Sequence, residues 1–153
     1  MSVSTFVLRP ISPGDADALR LRGGPLYVAD EDPGYPCRQC LRDAAVGDEL
    51  ILVSHDPFGT QSPYRSASPI FLHRTSCEPY VMESVLPEQL TRRQLSVRSF
   101  DGEEMMIDAA VIDGADLEFT IQRFFADSAS NQIHVHNATR GCWAVAVDRA
   151  PPA

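Results

Sequence analysis

Proline punctuates this chain so heavily that it leaves room only for short elements. Twelve prolines fall among 153 residues, most of them between stretches that read as regular structure. Each fixes φ and removes a backbone donor, so it ends a helix or confines a strand to an edge or a terminus. "TFVLRPI" at 5–11 reads as a strand closed by proline. "SPGDADALRLRGG" at 12–24 has a Ser-Pro start, early acids and a Gly-Gly stop, the signals of a short helix. "PLYVAD" is a brief extended piece, and "DEDPGYP" at 30–36 is a loop. "ELILVSH" at 49–55 is the clearest strand, rich in branched apolar residues. A long loop covers 56–69, and "IFLHRT" at 70–75 alternates as a strand. Loops of that length are commonly functional or disordered.

The second half continues the pattern. "PEQLTRRQ" at 87–94 predicts two helical turns; "LSVRSF" and "MMIDAAVI" form a hairpin around "DGEE". Leu117, Ile121, Phe124 and Phe125 recur at helical spacing within 115–127, which predicts an amphipathic helix. "NQIHVHNA" and "CWAVAVDR" are the last strands, joined by "TRG", and the tail "APPA" is expected to fray. About six strands with two or three short helices, without βαβ alternation, predict one α+β domain built mostly on an antiparallel sheet.

The bulk numbers exclude several classes. A net charge of -8 repels phosphate backbones and argues against a nucleic-acid binder. The start "MSVSTFVLRP" lacks the charged and apolar regions of a secretory signal, and the longest aliphatic run, "LILV" at 50–53, is too short to span a bilayer. A cytoplasmic location with no membrane partner is the expectation. Under it, four cysteines read as ligands, reactive thiols or core residues rather than a disulfide framework.

Two strings concentrate the capable side chains, "YPCRQCLRD" at 35–43 and "QIHVHNATRGC" at 132–142. A Cys-x-x-Cys turn lets the thiolates of Cys37 and Cys40 face one tetrahedral ion. On a strand, His134 and His136 share a face, with Cα atoms about 6.6 Å apart, so both rings can converge on one ion. Together the four residues match a zinc site in ligand number, with Cys77 and Cys142 as substitutes. Zinc is thus the candidate cofactor, and an open position on it would allow hydrolytic or oxygen chemistry through bound water.

Other readings stand beside this one. "IHVH" also reads as a strand that buries Ile133 and Val135 and simply shows two polar rings to water. Cys37 and Cys40 also fit a redox pair, with Arg38 between them favouring the thiolate, or two buried free cysteines. Arg65 and Arg140 suit bidentate capture of a small anionic molecule. A non-catalytic interaction module, docking a protein partner through the 56–69 loop, is the alternative. "SHD" at 54–56 is not a triad, because adjacent strand residues face opposite ways.

Read in order, "YPCRQCL", "SPYRSASPIF", "VRSF" and "IHVHNATRGCWA" resemble the bacterial domain-of-unknown-function family 1203, from about Tyr35 to Arg149. The resemblance implies a small, single-domain bacterial protein with no established activity. Its motif positions fall on Cys37, Arg38, Cys40 and Leu41; on Ser62, Pro63, Tyr64 and Arg65; and on His134, His136, Asn137, Gly141 and Cys142. With these, the candidate metal ligands are Cys37, Cys40, His134 and His136. The candidate ligand-binding residues are Arg38, Tyr64, Arg65, Asn137, Arg140 and Cys142.

Overall fold

The longest apolar alternations pair with one another and form a five-stranded antiparallel sheet. A computed structural model describes residues 5–80 and 85–151. The strands are β1 (Phe6–Arg9), β2 (Leu26–Val28), β3 (Glu49–His55), β4 (Ser68–His73), β5 (Gln94–Phe100), β6 (Met106–Asp113), β7 (Gln132–Asn137) and β8 (Trp143–Arg149). The large sheet runs β1-β8-β7-β5-β6, and a three-stranded sheet runs β2-β3-β4. Every pairing between these strands is antiparallel. The helices are α1 (Pro13–Arg22), α2 (Glu88–Thr91) and α3 (Leu117–Phe125). The fold is therefore a single-domain α+β fold, as the order of sequence patterns predicts.

Local chemistry explains the boundaries. Ser12 caps α1: its Oγ accepts the backbone N–H of Asp15 at 3.2 Å, and Pro13 fills the first helical turn. The helix predicted over 87–94 is shorter, a single turn over Glu88–Thr91. After it, Gln94 enters β5, opposite Asp113 of β6. In α3 the expected stripe is buried, with Leu117 and Ile121 at 0% exposure, whereas Phe119 on the other side is 69% exposed. The expected frayed tail falls partly on residues 152–153, outside the described residues.

The large sheet is covered on both faces. On one face, Leu117, Ile121, Phe124 and Phe125 of α3 pack with Leu95, Val97, Ile133, Val135, Val145 and Val147. On the other, Trp143 and Ala146 pack with Ile51, Val53, Ile70 and Leu72 of the small sheet, with α1, and with Cys37 and Cys40. The central strand β7 is therefore inaccessible on both sides. Ile133 and Val135 are 0% exposed, and His134 and His136 are only 1% and 5% exposed. The rings of "IHVH" do alternate away from the aliphatics, but into protein and not into water.

The long loop is closed by its own chain. The Glu104 carboxylate accepts the N–H groups of Gly59 and Thr60, Ser62 Oγ donates to the Glu104 carbonyl at 2.7 Å, and Phe58 lies against Phe100 and His134.

If α3 holds the sheet by its apolar stripe, Ile121→Ala should lower unfolding free energy by about 2–5 kcal/mol. Phe119→Ala should stay within about 0.5 kcal/mol of the parent. Urea melts of the two variants check this pair; equal losses would contradict the packing.

Candidate metal centre

Cys37 and Cys40 sit in a tight loop whose ends are joined. Pro36 bridges Asp43, and the Cys37 N–H donates to the Arg42 carbonyl at 3.0 Å. Closing so short a loop takes one residue in the left-handed region, and Leu41 supplies it with φ 55°. Its side chain is fully buried, so packing offsets the local strain. The loop is laid across the small sheet, with Cys37 bridging Phe71 of β4 and the Arg38 N–H donating to the Phe71 carbonyl.

That placement brings the thiols to the end of β4. His73, its last residue, and Cys77, four residues later, complete a group with Cys37 and Cys40. The four donor atoms all lie within 4.8 Å of one another. Cys37 Sγ is 3.8 Å from Cys77 Sγ, and Cys40 Sγ is 3.7 Å from His73 Nδ1. In a tetrahedral site with sulfur at about 2.3 Å and nitrogen at about 2.05 Å, the corresponding edges are about 3.8 Å and about 3.6 Å. All four cysteines of the chain are free.

The surroundings orient the donors. His73 turns Nδ1 to the sulfurs, while Nε2 lies 3.2 Å from Asp48 Oδ2. A carboxylate behind a ligating imidazole fixes its tautomer and raises its basicity. The segment carrying Cys77 is pinned to the thiol loop where the Tyr80 N–H donates to the Gln39 carbonyl at 3.1 Å. Hydrogen bonds from Cys40, then Cys77, pull the Cys37 thiol far below the ordinary thiol range. The bond to Cys37 pushes Cys77 up, and bonds to Cys37 and Cys40 raise His73 to about 10. Cys37 is thus the thiol of the cluster in which the thiolate, the form that a cation requires, is favoured.

His134 and His136 are not in this group. His134 Nε2 is 2.8 Å from Gln132 Oε1, and its ring is flanked by Phe58 and Phe100. His136 Nδ1 donates to the Gly141 carbonyl at 2.9 Å, and its Nε2 faces Arg98 Nη1 at 3.5 Å. Gly141 closes that turn with φ 79°, a left-handed value that suits glycine. The thiol loop and the histidine strand do approach each other, because Arg38 Nε donates to the Trp143 carbonyl at 2.9 Å and Trp143 pairs with His136. They meet through that guanidinium and not through a shared donor set.

The other candidates divide. Arg38, Asn137, Arg140 and Cys142 line one cavity of about 650 Å³. Arg65 is paired with Asp56 at 2.7 Å, and Tyr64 lies 6.1 Å from Phe100 between ring centroids. His73 is the donor that the sequence reading missed. Its signal was the spacing "HRTSC", which puts a histidine four residues before Cys77.

These features define an α+β protein with a Cys3His group able to hold a metal ion. The chain belongs to the protein family of unknown function DUF1203, whose model matches residues 34–149. That span contains all four donors and the cavity-lining motif residues. No curated protein and no solved structure matches the chain. Among the described residues, no helix is long and apolar enough to cross a membrane.

Burial lowers His134 to about 4, helped by the neighbouring His136, and burial lowers His136 to about 4 as well. An imidazole that titrates near 6.5 when unfolded and near 4 when folded binds its proton more readily in the unfolded chain. Its stabilisation is intact above pH 6.5 and is lost as pH falls towards 4. The full loss is about 3 kcal/mol for each ring. Denaturant melts at pH 7 and pH 4.5 should therefore show a drop smaller by about 2 kcal/mol in His134→Gln than in the parent. An identical drop would contradict the burial argument.

Proposed function

We propose that this protein is a zinc-binding domain in which Cys37, Cys40, His73 and Cys77 hold one structural ion. The observation that supports the reading most is the Asp48–His73 contact, which aims Nδ1 at three thiols. A chance cluster of buried thiols has no need of an oriented imidazole. Sulfur and imidazole donors in a tetrahedron suit zinc among the common divalent metals.

All four positions come from protein, so no coordination site remains for water or substrate. This favours a structural ion over metal-assisted hydrolysis. The ion would tie the 36–43 loop to the end of β4 and to the segment through Tyr80, adding to the hydrogen bonds that already join them. Binding would release protons from Cys77 and the His73 ring, whose proton affinities are raised, so metal affinity should fall with acidification.

The purified protein should carry about one zinc per chain. Cys77→Ser and His73→Ala should abolish stoichiometric binding, while Cys142→Ser leaves it intact. Asp48→Asn should weaken zinc by about 10–100-fold. Chelation should lower the melting temperature and expose three further reactive thiols. Metal-free protein with a disulfide from Cys37 to Cys40 or Cys77 would overturn the proposal in favour of thiol redox chemistry. Zinc binding unchanged in Cys77→Ser would overturn the assigned ligand set.

A further inference from the structure

A cationic group held deep in a protein is ordinarily matched by an anion. Arg38 has no carboxylate in hydrogen-bond contact. It is 2% exposed, and it donates Nε to the Trp143 carbonyl and Nη1 to the Pro36 carbonyl at 2.5 Å, both neutral acceptors. Nη2 has no hydrogen-bond partner among the described residues. The carboxylate of Asp43, on the same loop, is already taken by Arg93 at 2.6 Å and Arg92 at 3.5 Å. No ion pair among the described residues includes Arg38.

Arg38 lines the cavity of about 650 Å³ between the small sheet and the β7–β8 turn. Two more features of that cavity point to an occupant. Arg140, in the turn, brings a second guanidinium that pairs with no carboxylate among the described residues. Asn137 Oδ1 is buried and has no hydrogen-bond partner among the described residues. The cavity also has apolar lining: Tyr27 and Phe71, which meet edge to face at 5.5 Å, with Leu52 and Pro69. A cavity of a few hundred cubic ångströms with an apolar wall and a few convergent polar groups is the common form of a small-molecule site.

We propose that this cavity binds a small organic anion. Its carboxylate or phosphate head would lie between Arg38 and Arg140, and its apolar or aromatic body against Tyr27 and Phe71. Guanidinium groups match either head by paired N–H donors. Asn137 would accept from a hydroxyl or amino group beside that head. The site stands apart from the metal centre: it shares no donor residue with Cys37, Cys40, His73 and Cys77. Loss of either proposal leaves the other in place.

Titration of 3-phenyllactate and of phenyl phosphate into the 15N-labelled protein as purified tests it. At least one should shift the amide resonances of Arg38, Asn137 and Arg140 saturably, and the tighter of the two identifies the head group. The uncharged 3-phenyllactamide should bind at least about tenfold more weakly. Arg140→Gln removes an exposed side chain with no structural bond, so it should keep the fold and lose about tenfold in affinity. Arg38→Lys keeps the charge but loses the fork, and should weaken binding further. Absence of saturable shifts with both anions overturns the proposal. Equal binding of acid and amide, or an Arg140→Gln affinity equal to the parent's, does so too.

Discussion

The backbone of residues 36–43 is the constraint on which the two halves of the molecule depend. It is bonded to both sheets. The Arg38 N–H donates to Phe71 in the small sheet, and the Arg38 side chain donates to Trp143 in the large one. Gln89 Nε2, from α2, donates to the Cys37 carbonyl at 3.0 Å. Leu41 enters the large core while Cys37 and Cys40 enter the smaller one. A loop with a left-handed leucine, two buried thiols and a buried guanidinium is costly by itself. Its neighbours over-determine it, and this is the usual condition under which strain persists.

The distribution of polar groups follows from the same geometry. The middle strand of the large sheet carries two imidazoles on one face because alternation puts them there. With that face covered by Phe58 and Trp143's surroundings, burial favours the neutral rings, which bond to Gln132, Gly141 and Arg98. The charged groups lie at the margins of this interior: thiols and His73 at the end of the small sheet, guanidinium groups around the cavity beside the β7–β8 turn. The loop between 36 and 43 separates these two regions, with Cys37 and Cys40 turned to one and Arg38 to the other.

Much of the fold was legible because its signals are local. The β3 boundaries coincide with "ELILVSH", the Ser-Pro cap opens α1, and the apolar stripe of α3 is buried as its spacing predicts. The helix after Pro87 was overestimated because β5 starts at Gln94 and sheet pairing with β6 and β7 takes over there. Propensity yields to tertiary pairing in so short a segment. Burial of His134 and His136 was not legible, since alternation alone does not say whether a polar face is covered.

The metal centre was legible in part for a related reason. Cys37 and Cys40 are a local motif, so their convergence follows from three residues of spacing. Their partners come from a strand end 33 residues later, and only the β3–β4 register and the Cys37–Phe71 bridge bring it alongside. "IHVH" is the more conspicuous histidine string, yet its rings are committed to Gln132 and Gly141. In the cavity, a run of ligand-capable residues from both strings does come together, because Arg38 reaches the late strands directly.

X-ray absorption at the zinc edge of the purified protein examines the donor set itself. Three sulfurs at about 2.3 Å and one imidazole nitrogen at about 2.0 Å are the predicted first shell. A shell of two sulfurs and two imidazoles, or one containing oxygen from water, would contradict it.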